Sequence, residues 1–60
     1  MDYAAIIRDH FNIIIKVEER PTLERALKAG SFFKNRIPGS WFSIAEGADV
    51  IDMFKALVNA

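Results

Sequence analysis

Behind Asp2, the residues Tyr3, Ile6, Ile7, His10 and Phe11 recur at three-to-four spacing. That period predicts an amphipathic helix over residues 2–11 with Asp2 as its N-cap. The stretch from Asn12 to Arg20 satisfies two periods at once. Ile13, Ile15 and Val17 alternate as on a strand, while Lys16, Glu18, Glu19 and Arg20 would extend the first helix. Helix is the preferred reading, because a lone strand in so small a chain has nothing to pair with. A short strand over 12–18 is the alternative.

Pro21 disfavours helical geometry at Arg20, so a break falls there under either reading. Thr22 is suited to cap a new helix that buries Leu23, Ala26 and Leu27, carries Glu24 near its positive end, and closes at Ala29 with Gly30. Ser31 to Arg36 adds a further turn with Phe32 and Phe33 inward. Ile37-Pro38-Gly39-Ser40 is a turn by its proline and glycine. Ser43-Ile44-Ala45-Glu46 then matches a capping box, which predicts a last helix starting there. Its apolar stripe is Ile44, Ala48, Ile51, Phe54 and Val58, widened by Val50 and Leu57, with Gly47 as a weak point. The expected fold is all-α, a compact single-domain bundle of three to four short helices.

Size sharpens this picture. The chain has 60 residues, and a domain of that length buries only about 60% of the surface its unfolded chain exposes, so small domains usually carry a staple. There is no cysteine for a disulfide, and a single histidine with scattered carboxylates does not make a structural metal site. Self-association remains. With 52% hydrophobic residues and the run Ile13-Ile14-Ile15, one subunit has too little interior, and a homodimer is expected. Ile13, Ile15, Phe32, Trp41, Phe42 and Phe54 are the candidate interface, for self-association or for a protein partner. Trp41 and Phe42 have a plainer reading as closure of the core after the turn. No apolar stretch approaches the ~20 residues of a membrane span, and Met1-Asp2-Tyr3 does not resemble a signal peptide, so a cytoplasmic location without membrane contact is expected.

Catalysis finds little to work with. His10 is the only histidine, and Asp9 beside it would point about 100° away on a helix. Asp49 and Asp52 read as a solvated face, and Gly30, Gly39 and Gly47 are isolated rather than grouped in a phosphate loop. A ligand pocket of ~300 Å³ would consume most of so small a core. The chain is expected to bind a partner, with no cofactor, metal or small-molecule substrate.

Charge suggests which partner. Eight basic residues balance eight acidic ones overall, yet residues 16–36 hold Lys16, Arg20, Arg25, Lys28, Lys34 and Arg36 against Glu18, Glu19 and Glu24. The centre is basic and both flanks are acidic. On a helix starting at Thr22, an apolar back of Leu23, Ala26 and Leu27 would dock on the domain, leaving Arg25 and Lys28 on a polar front. Three pieces resemble the small helix-turn-helix repressors of bacteriophages, the Cro-type and related families. These are Asp9-His10-Phe11, then Pro21-Thr22-Leu23-Glu24-Arg25-Ala26-Leu27, and then Arg36-Ile37-Pro38-Gly39-Ser40-Trp41 with Ile44-Ala45-Glu46. The resemblance implies a dimeric DNA-binding transcription regulator. In it Thr22, Arg25 and Lys28 meet bases or phosphates and Arg20, Lys34 and Arg36 flank the backbone. The alternative is a helical protein-interaction module, an adaptor, inhibitor or antirepressor, that does not bind nucleic acid.

Overall fold

In a computed structural model, which describes residues 2–59, the chain runs β1 (Tyr3–Arg8), β2 (Ile14–Arg20), α1 (Leu23–Arg36), β3 (Trp41–Glu46) and α2 (Ala48–Val58). The strands form one antiparallel sheet in the order β2-β1-β3. The architecture is α+β. The all-α bundle is not formed, and α1 lies between two strands, so among the described residues no two helices are joined by a turn.

The first correction is β1 itself. Ala4, Ala5, Ile6 and Ile7 are all buried, because β1 is the middle strand and a helix covers each face of the sheet. A strand buried on both sides is a continuous apolar run, which a helical period fits equally well over so few residues. Asp2 caps no helix; its carbonyl accepts the Gly47 amide at 3.0 Å. Ala4 and Ile6 point to one face and form a cluster with Val17 and Val50 of α2, with Ile14, Ala45, Met53 and Leu57 packed around it. Ala5 and Ile7 point to the other face, where Ile7 lies opposite Phe42 and α1 closes the layer.

The segment 14–20 takes the strand alternative, pairing with β1 along its length. A one-residue bulge falls at Ile15, between the pairs Ile7↔Lys16 and Arg8↔Ile14. Residues 9–13 make the connecting loop. Asp9 holds it, its Oδ1 accepting the amides of Phe11 at 2.9 Å and Ile13 at 3.0 Å, while Asn12 takes the left-handed φ of 68° that asparagine tolerates.

α1 begins as its sequence foretells. Thr22 is the N-cap and accepts the Arg25 amide at 3.2 Å, with Glu24 in the first turn and Lys34 and Arg36 in the last. It does not stop at Gly30, which is buried inside the helix directly above the Phe42 ring, where a Cβ would overlap that ring. Leu23 and Leu27, expected in the core, are exposed; the residues that face the sheet are Ala26, Ala29 and Gly30. Small side chains let the helix sit close.

Ile37–Ser40 is the turn the sequence indicates, and the buried Ser40 hydroxyl donates to the Ile37 carbonyl at 2.7 Å. The capping box at Ser43 is not used, because Trp41–Glu46 is an edge strand registered on β1. The last helix starts at Ala48 after Gly47, which adopts a φ of 62°. Its buried side is Val50 with half-buried Met53 and Leu57; Ile51, Phe54 and Val58, assigned to the apolar stripe, are exposed. The Cα envelope measures 30 × 26 × 12 Å. The shortest axis fits the width of a three-stranded sheet, two spacings of about 4.8 Å, and the 26 Å axis fits helix, sheet and helix stacked at about 10 Å intervals.

Candidate functional site

An open cleft of about 410 Å³ lies between α1 and β2, lined by Arg20, Arg25, Lys28, Ala29, Phe32 and Phe33. It is open to solvent and reaches the core only at Ala29. Arg25, Ala29, Phe32 and Arg36 follow one another at steps of four, three and four, so they form a single stripe along the α1 flank above β2. Arg20 reaches the same place from the end of β2. It is four residues from Lys16 on one strand and therefore on the same face, and Lys16 stacks on Phe33 of α1.

The aromatic rings are held by cations. The Arg36 guanidinium lies 4.1 Å from the Phe32 ring centre, the Lys16 ammonium 4.9 Å from that of Phe33, and the two rings meet edge to face at 5.1 Å. Phe32 remains half exposed at the rim. The carboxylates nearby are Glu18, which pairs with Lys16 and Arg20 at 3.4 Å each, and Glu24, which pairs with Lys28 at 3.3 Å. Five cations thus meet two carboxylates. Among the described residues Arg25 and Arg36 have no ion-pair partner. Exposed pairs such as Lys28–Glu24 contribute about 0–1 kcal/mol, so an incoming anion with stronger, charge-assisted hydrogen bonds displaces them readily.

Of the residues expected to touch nucleic acid, Arg20, Arg25 and Lys28 converge in this cleft and Arg36 joins them through Phe32. Thr22 stands apart, its hydroxyl oxygen engaged as the helix cap. Lys34 is nine residues past Arg25, half a turn round the helix, and faces the opposite flank. Phe32 and Phe33 line the cleft and Lys16 adjoins it through the Phe33 ring, although none of the three was expected there. Phe32 was readable, being seven residues after Arg25 and four before Arg36. Lys16 was not, since its position depends on β2 being a strand.

The expected interface residues are dispersed. Phe32 lines the cleft, Phe42 lies under Gly30, and Ile13 and Ile15 flank the start of β2. Trp41 sits on the other face of the sheet beside Arg8, whose guanidinium is 5.4 Å from its ring centre and donates to Ser43 Oγ at 3.1 Å. Phe54 is on α2. His10 is exposed with its ring 4.1 Å from that of Phe11, and Asp9 is occupied by the loop amides rather than by His10. Among the described residues no three histidine, aspartate or glutamate side chains gather as a metal site, and no helix is long and apolar enough to cross a membrane.

The chain matches no known protein family, no characterised protein and no solved structure.

Proposed function

We propose that this protein is a small nucleic-acid-binding module whose ligand is single-stranded and lies along the α1–β2 cleft. The observation that carries the reading is the joining of Arg20, Arg25 and Lys28 with two phenylalanine rings in one open surface cleft. Phosphate oxygens take the guanidinium and ammonium groups, and an unstacked base lies against Phe32 or the plane of Arg36. A duplex offers no such free base face, which favours a single strand. The role is binding without catalysis, and regulation of transcripts or of DNA in the cytoplasm suits a chain of this size.

The test is fluorescence anisotropy with a labelled single-stranded oligonucleotide and its duplex across a salt series. Neutralising three phosphates on a single strand gives log K against log salt a slope of about −2. Preference for the single strand and a slope near that value support the reading. Absent binding at low salt, or binding that salt does not weaken, removes it.

A further inference from the structure

The sheet has two free edges, and they differ. The outer edge of β2 carries Lys16, Glu18, Glu19 and Arg20 and is bent by the bulge at Ile15. Charges and bulges are the devices that keep an edge strand from pairing with another chain. β3 has neither device. It runs Trp41-Phe42-Ser43-Ile44-Ala45-Glu46, keeps an unbroken six-pair register with β1, contains no proline or lysine, and carries its one charge at the last residue. Its outward amides and carbonyls are open for pairing.

The helix above it adds apolar surface. Leu23 and Leu27 lie on the Gly30 side of α1, and Gly30 sits over Phe42, so these leucines overhang the β3 edge rather than the cleft on the other flank. They are 46% and 43% exposed, which is unexpected for leucines on a helix that docks on a sheet. Lys34 is seven residues past Leu27 and continues the same flank. Since α1 leaves the Arg20 end of the sheet and returns to Trp41, the leucines lie toward the Glu46 end of β3 and Lys34 toward the Trp41 end.

We infer that β3 is the seat of a homodimer, pairing antiparallel with β3 of a second copy about a two-fold axis normal to the sheet. That axis keeps each face on its own side, so α1 remains beside α1 of the other copy and a six-stranded sheet results. A register centred on Ser43 sets Phe42 opposite Ile44 of the other copy and Trp41 opposite Ala45, apolar pairs of the kind that stabilise a ladder. The strip is also self-complementary in charge. Reversal brings the Lys34 end of one flank toward the Glu46 end of the other, and among the described residues neither has an ion-pair partner.

The decisive experiment is analytical ultracentrifugation of the full chain over a concentration series. It compares the wild type with Leu27→Glu and with Ile51→Glu, a more exposed apolar position on α2. Far-UV circular dichroism on each shows whether it folds. The expected result is a wild-type dimer, a rise of at least about tenfold in the dissociation constant for Leu27→Glu, and no change for Ile51→Glu. Amide exchange at alternate residues of Trp41–Glu46 then slows as concentration rises, a readout independent of any variant. A wild type that stays monomeric up to millimolar concentration overturns the proposal. So does a dimer that Leu27→Glu leaves intact, or one whose β3 amides exchange at the same rate at every concentration.

Discussion

Gly30 and the ring of Phe42 occupy one contact between α1 and β3, with no space between them for a methyl group. Gly30→Ala should for that reason destabilise the protein, although alanine is favoured over glycine in a helix by about 1 kcal/mol. Overpacking costs about 1–3 kcal/mol, and in a chain this short each kcal/mol lowers the melting temperature by roughly 4–8 °C. Thermal melts settle the sign. A higher melting temperature would show that the helix can lift off β3 without penalty.

Thr22 was expected to face nucleic acid and instead caps α1. Thr22→Ala should lower stability by about 1 kcal/mol and leave oligonucleotide affinity unchanged at a temperature where the variant is folded. Urea denaturation and anisotropy on one preparation separate the two effects. A loss of affinity without loss of stability would return Thr22 to the site.

Arg25 and Arg36 on one flank of α1 and Lys34 on the other make an internal comparison. Arg25→Ala should weaken binding of the single strand and reduce the salt slope by about 0.7, one phosphate contact. Arg36→Ala should also weaken it, through both the charge and the stacked surface over Phe32. Lys34→Ala should bind as the wild type does. Equal losses at all three positions would mean that general positive charge, not the cleft, attracts the ligand.

Asp9 accepts two backbone amides in the β1–β2 loop, and its replacement leaves both without that partner. Asp9→Ala should cost about 1–2 kcal/mol, whereas Asp9→Asn, which keeps the accepting oxygen, should cost clearly less. Denaturation midpoints of the two variants check this. Equal losses would point to the charge rather than the hydrogen bonds.

The contrast between the helices and the strands shows what was legible in this chain. Pro21, Thr22 and the Ile37–Ser40 turn act through local stereochemistry, and each sits where its residues dictate. Ala4-Ala5-Ile6-Ile7 depends on what lies above and below it, and nothing local distinguishes a strand covered on both faces from one turn of a helix. Ser43 and Glu46 carry capping chemistry, but pairing with β1 across six residues outweighs it. The cleft was half visible for the same reason. Its α1 stripe has a helical period, while Arg20 reaches it, and Lys16 reaches Phe33 beside it, only because β2 is extended.

Placing β1 in the middle of the sheet also constrains how the chain acquires its shape. β1 is made before the other elements that complete it; its second neighbour, β3, ends only at Glu46, and the helix over its other face follows later still. A nascent chain can close the β1–β2 hairpin early, but a lone two-stranded ribbon is marginal in water. Cooperative folding must therefore await synthesis of β3 and α2, and nicking the backbone between α1 and β3 would separate the central strand from half of its hydrogen bonds.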